Sequence, residues 1–378
     1  MQFQQTIGQQ LVKDQLRNMI QSGRLPHAQL FLGPTGCGKL SLALAFAQYL
    51  LCENRSEADS CGKCPACIKA AAMIHPDIHF SFPVVGTKMT SNNFLGNWRT
   101  AVGENPYVDI NQWMQAIGAE NKQGNLNKEE CLNIIRKLSL KTFESTHKVL
   151  ILWMPEYLGK EGNRLLKLIE EPPENTVFLL VAEDSERILN TILSRCQIVK
   201  INQLGDEELI NGLIHHKGLN REQALQIAPL ADGNFNEALK LLVEKSDDNA
   251  QLFLEWMRKC YKGNGVELVG WVDKFAKIGR ENQKHFLRYA LHFMREYLLL
   301  KMNVKDQVRL RPDELKTARN LIKVIEFEQI EALSALFNDC SFYVERNANP
   351  KILFLDASIR LHKILRSDKT ARLKAATR

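Results

Sequence analysis

The 378-residue chain reads as an α/β domain built on a mostly parallel sheet, followed by a purely helical remainder. Three observations predict this. Up to about residue 201, short apolar runs alternate with stretches of helical periodicity, the pattern of strands joined by crossover helices. One of those runs leads straight into a glycine-rich loop, Gly33-Pro34-Thr35-Gly36-Cys37-Gly38-Lys39, and an apolar helical stretch follows it. Beyond residue 201 no strand-like run occurs, while amphipathic helical spacing continues.

In chain order, residues 10–21 carry helical spacing at Leu11, Leu16, Met19 and Ile20, residues 28–32 form an apolar run, and residues 40–51 an apolar helix. Segment 75–127 breaks the rhythm. It is rich in Asn, Gly and aromatics and is expected to be an insertion or long loop. Residues 129–138 return to helical spacing at Leu132, Ile135 and Leu138. The runs at 148–153 and 176–182 are rich in Val, Ile and Leu and read as buried strands. Three short helices are expected over 206–213, 221–228 and 236–243, with Gly233 as punctuation, and longer ones over 284–302, 312–324 and 328–336. The layout divides into an α/β domain (1–201), a small helical domain (202–248) and a larger helical domain (249–378).

Composition narrows the class. With 45% hydrophobic and 25% charged residues the chain is an ordinary globular one. Its apolar runs are too short to span a bilayer, and the opening MQFQQTIGQQ lacks the basic and apolar regions of a secretory signal, so no membrane partner and a cytoplasmic location are expected. Fifty Lys+Arg against 43 Asp+Glu leave a net charge of +7, which permits contact with a phosphate backbone without requiring it. The basic stretch 366–378 suits a solvated tail and a binding arm equally.

The glycine-rich segment fits G-x-x-x-x-G-K but continues with Leu40 where Ser or Thr belongs. Such a loop works in two halves. Backbone N–H groups and the lysine cradle phosphates at a helix N-terminus, and the hydroxyl that follows coordinates Mg²⁺. Gly33, Gly36, Gly38 and Lys39 keep the first half; an aliphatic side chain cannot perform the second. Ser41 is one residue late and should point about 100° round the helix. A hydrolysing site also needs Asp followed by Glu at the end of a partner strand, one for Mg²⁺ and one for the attacking water. Those positions hold Trp153 and Met154, and Glu156, after a proline, is expected to be a surface or turn acid. ATP turnover is therefore not expected. The loop is either a static grip on ATP or ADP or an empty relic kept for its fold.

Nine cysteines, four of them at 52, 61, 64 and 67, argue against a disulfide framework. The spacing C-x8-C-x2-C-x2-C lets thiolates converge, and four soft ligands favour a closed, structural Zn²⁺ site on Cys52, Cys61, Cys64 and Cys67.

Several segments together resemble the bacterial clamp-loader subunits of DNA polymerase III, within the AAA+ superfamily. The similar parts are Ile7-Gly8-Gln9, Gly23-Arg24-Leu25-Pro26-His27-Ala28, the phosphate loop, the four-cysteine module, NRLLKLIEEPP at 163–173 and LSRCQ at 193–197. They cover about residues 5–240. The resemblance implies an AAA+ α/β core carrying a zinc module, a helical lid and a helical collar. It implies that Arg195, in Ser-Arg-Cys, acts as a trans arginine finger on a neighbour's ATP. In the family's ATPase subunits the lid segment Gly-x-x-Arg carries a further arginine, and Asn236 replaces it here. That departure points to the delta-prime type, which does not hydrolyse ATP, within the DNA polymerase III holoenzyme. Gamma/tau-like and delta-like subunits, and through them the sliding clamp and primed DNA, are the implied partners. Two other functions fit less of the sequence: an active gamma/tau-like ATPase subunit using Ser41 and Glu156, and a zinc-bearing DNA-binding adaptor.

Overall fold

The computed structural model of the chain describes residues 1–378 except 121, 244–245, 305–307, 309, 311, 322–324 and 377–378. The last residues of the helix expected at 312–324, and the end of the basic stretch 366–378, thus lie outside the described residues. The chain forms two compact units, Met1–Lys240 and Leu241–Arg378.

The first unit holds a five-stranded sheet of β1 (Ala28–Leu32), β2 (Ile78–Ser81), β3 (Lys148–Trp153), β4 (Thr176–Ala182) and β5 (Gln197–Lys200), in the order β2-β3-β4-β1-β5. Every pairing is parallel, with Leu32 opposite Ala182 and Trp153 opposite Val181. Of the three inner strands, β3 and β4 are buried at every residue and β1 at all but its last, as strands covered on both faces must be. Around the sheet lie α1 (Gln10–Gln21), α2 (Lys39–Leu51), α3 (Pro65–Ala71), α4 (Leu95–Glu104), α5 (Ile110–Ala116), α6 (Lys128–Ser139), α7 (Leu166–Glu170) and α8 (Asn190–Leu193). Helix α2 is buried along its whole length, and its side chains are apolar or aromatic apart from Lys39, Ser41 and Gln48. One apolar cluster packs α2 and segment 78–119 on one face of the sheet, and a second packs α6 and α7 on the other.

Segment 75–127 is folded rather than looped. It supplies β2, α4 and α5, and a bridge pairs Val84 with Asn125. Its aromatics form a core of their own: Trp98 stacks on Phe82 at 4.3 Å and meets Trp113 and Trp153 edge-on or tilted, each at 5.3 Å.

Among the described residues no strand follows β5. Helices α9 (Asp206–Lys217), α10 (Arg221–Ala231), α11 (Phe235–Val243), α12 (Ser246–Lys262), α13 (Gly265–Phe275), α14 (Arg280–Lys301), α15 (Pro312–Leu321), α16 (Phe327–Glu345) and α17 (Pro350–Ala376) complete the chain. The second unit is organised around stacked and edge-on rings of Phe253, Trp256, Trp271, Phe275, Phe286 and Phe337.

Candidate functional site

The phosphate loop leaves the carboxyl end of β1, beside β4, where open α/β sheets place their ligands. The Gly33 amide donates to the Ala182 carbonyl at 3.2 Å, so the loop is stapled to the end of β4. Gly36 and Gly38 take φ of 71° and 92°, the left-handed region that glycine enters without cost. A Cβ on Gly36 would also collide with Asn234, and the Gly36 carbonyl accepts from the Phe235 amide at 3.1 Å. The segment after α10 thus packs directly on the loop.

Lys39 begins α2 and is buried, 5% exposed. Its ammonium donates to the Pro34 carbonyl at 2.9 Å and to Glu183 Oε1 at 3.0 Å. Sequence reasoning did not single out Glu183. The signal was available: it is the acid that directly follows β4, the strand hydrogen-bonded to β1. Leu40 is buried in the apolar cluster. Ser41 is fully buried and its hydroxyl lies 2.8 Å from Thr6 Oγ1, so it is engaged with the N-terminal segment.

The strand end that should carry catalytic acids is apolar and packed. Trp153 is part of the aromatic cluster, and Met154 turns the chain in a left-handed conformation at φ 58°. Glu156 is not a surface acid: it is 7% exposed, and its Oε1 accepts the amides of Glu183 and Asp184, the latter at 2.9 Å. Burial pushes its carboxyl up from the ordinary value against those amides. It acts as a turn acid that ties β3 to β4.

Asn236 is buried in a polar knot with segment 75–127. It accepts from Asn105 Nδ2 at 2.6 Å and donates to Asp109 Oδ2 at 2.9 Å, and Lys240 donates to the same carboxylate oxygen at 2.8 Å. Arg195 follows α8. Its guanidinium bonds Glu170 on α7 and donates to the Thr191 carbonyl at 2.6 Å, with the side chain 29% exposed.

The four cysteines meet. Cys52 caps the end of α2 and Cys64 the start of α3, with Pro65 in the first helical turn, and the four sulfurs lie within 4.8 Å of one another. Backbone amides of Cys61, Cys64 and Cys67 donate to the sulfurs of Cys52, Cys61 and Cys64 at 3.2, 3.3 and 3.4 Å. The amides of Lys63 and Cys64 bring the Cys61 thiol down to about 6, while burial raises Cys52 and Cys67. Four converging soft donors, with amides stabilising thiolate charge, fit a tetrahedral metal.

No described helix is long and apolar enough to cross a membrane. A family profile described as DNA polymerase III, delta subunit, matches residues 8–205. DNA polymerase III subunit gamma of Buchnera aphidicola is 30% identical over 337 residues, covering 82% of each chain. DNA polymerase III subunit tau of Bacillus subtilis is 24% identical over 387 residues, and the alignment takes in 95% of this chain but only 61% of that subunit. A gamma subunit-related protein from Thermotoga maritima covers 94% of this chain and 99% of its own at 13% identity, with a TM-score of 0.38, too low to carry an argument. With half of its length inside that profile and a gamma subunit aligned over most of both chains, the chain belongs to the DNA polymerase III, delta subunit, family.

Proposed function

We propose that the chain is a delta-prime-like clamp-loader subunit that does not hydrolyse ATP itself and lends Arg195 to a neighbour's ATP as the sliding clamp is placed on primed DNA. On this reading residues 1–201 are the AAA+ domain with its zinc module at 52–67, residues 202–248 the lid and residues 249–378 the collar. Gamma/tau-like and delta-like subunits complete the ring, and the location is cytoplasmic.

One observation carries the reading. The positions that should hold the hydrolytic groups are built into the interior: Leu40 and Trp153 are core side chains and Asn236 is spent in the Asp109 knot. Leu40 and Trp153 offer no oxygen to Mg²⁺ or an attacking water, and the Asn236 carboxamide is bonded to Asn105 and Asp109. The motor reading needs Ser41 and Glu156 as substitutes, and both are engaged elsewhere, with Thr6 and with the amides after β4. Arg195 differs in kind. A planar, permanently charged guanidinium is suited to stabilising a phosphoryl group in transfer, and although Arg195 is paired with Glu170 and the Thr191 carbonyl, its side chain stays 29% exposed.

The test uses the reconstituted loader. Arg195→Ala should slow ATP turnover at the neighbouring site by roughly a thousandfold, the scale of an arginine finger, with assembly intact. Unchanged DNA-stimulated turnover removes the trans role. Phosphate release from Mg²⁺-ATP by the purified chain alone, abolished by Lys39→Ala, would instead establish the motor.

A further inference from the structure

The cation that a phosphate loop offers its ligand is already matched within this chain. A buried ammonium requires an anion or a set of acceptors, and Lys39 has both, in Glu183 Oε1 at 3.0 Å and the Pro34 carbonyl at 2.9 Å. Glu183 is held in place from both sides. The residue before it accepts the Gly33 amide through its carbonyl, and the amides of Glu183 and Asp184 both donate to Glu156. Glu156 is itself anchored just past β3, so the sheet fixes where the Glu183 backbone stands relative to the loop. The carboxylate is 27% exposed, enough to leave the lysine if something displaces it.

We propose that Glu183 is the resident anion of the phosphate loop, occupying Lys39 so that the phosphates of nucleoside di- and triphosphates are disfavoured there. The inference rests on reading the loop as non-hydrolysing and says what keeps it so. An incoming phosphate would have to evict the carboxylate or share one cation with it, two anions on a single ammonium. The usual relief, Mg²⁺ held by the hydroxyl after the lysine, is closed off because Leu40 stands there. Asn234 packed on Gly36 narrows the loop further. What remains is a loop with the cradle of a nucleotide site and its charge already spent.

The test is calorimetric titration of the full chain with ADP, ATP and inorganic pyrophosphate, each with Mg²⁺, comparing the wild type with Glu183→Gln, Glu183→Ser and Glu183→Gln/Lys39→Ala. The expected result is binding tightened about tenfold or more by Glu183→Gln, ~1.4 kcal/mol, for pyrophosphate as well as for nucleotide, and lost again in the double variant. Glu183→Ser serves where the Gln variant melts early. Three results overturn the inference: a wild type that binds as tightly as Glu183→Gln, no binding by any variant, or a gain that survives Lys39→Ala. ATP hydrolysis by the wild type would defeat the non-hydrolysing reading independently, since it is read as phosphate release rather than affinity.

Discussion

Trp153 ends β3 at the position where an acid is expected from the sequence, and its surroundings are unsuited to one. The indole lies 5.3 Å from Trp98, which itself stacks on Phe82 and meets Trp113. A carboxylate at this point would be a buried charge among rings with no partner, so Trp153→Asp is expected to unfold the first unit before it restores any chemistry. Truncation gives the cleaner number. Trp153→Ala should lower the unfolding free energy by about 3–5 kcal/mol in chemical denaturation, the cost of emptying a large aromatic site. A loss below about 1 kcal/mol would mean the cluster does not depend on it. At this site the sequence is legible only where it departs from the expected motifs, at Leu40, Trp153, Met154 and Asn236. It did not announce Glu183, because a lone acid after a strand has no motif and gains meaning only when β4 is known to lie beside β1. Nor did it show that Glu156 is buried, because its partners are main-chain amides 27 and 28 residues away.

Whole elements follow the same logic. Strands β1, β3 and β4 were legible because an interior strand of a parallel sheet is apolar on both faces and reads as a continuous run. Strands β2 and β5 were not. They are four residues each at the two edges of the sheet, and three of the four residues of β5 are exposed. Segment 75–127 was illegible for a related reason, since its core is made of scattered aromatics from several short elements rather than a periodic face. The four-cysteine turn is the opposite case, a local pattern that folded as its spacing implied. It joins the end of α2 to the start of α3, so a metal there clamps two helices against each other. One Zn²⁺ per chain is expected by elemental analysis. Its removal by a strong chelator, or Cys64→Ser, should lower the Tm of the first unit, by about 2–4 °C for each kcal/mol of stability lost at this size. A chain purified without metal and indifferent to chelator would contradict the assignment.

Across the molecule, the two units are built on separate aromatic cores. Trp98, Trp113 and Trp153 belong to Met1–Lys240, while Trp256 and Trp271 belong to Leu241–Arg378 and stack at 5.4 Å with an interplanar angle of 7°. Trp256 is locked further by its indole N–H, which donates to Ser358 Oγ at 2.9 Å, and Ser358 donates in turn to the Phe354 carbonyl at 2.6 Å. A helical unit whose large side chains are fixed in this way has a core of its own and should not need the α/β unit to order it. Produced alone, residues 241–378 are therefore expected to be helical in the far ultraviolet and to show a strong near-ultraviolet circular dichroism signal from the stacked indoles. Both signals should be lost together in one transition on heating. Helix content without the near-ultraviolet signal would be the mark of a collapsed, loosely packed state, and would mean that this core is completed only by the rest of the chain or by neighbouring subunits. Trp271→Phe separates the two outcomes further: it should weaken the near-ultraviolet signal while leaving helix content unchanged, because a ring of similar shape still fills the stack between Trp256 and Phe275.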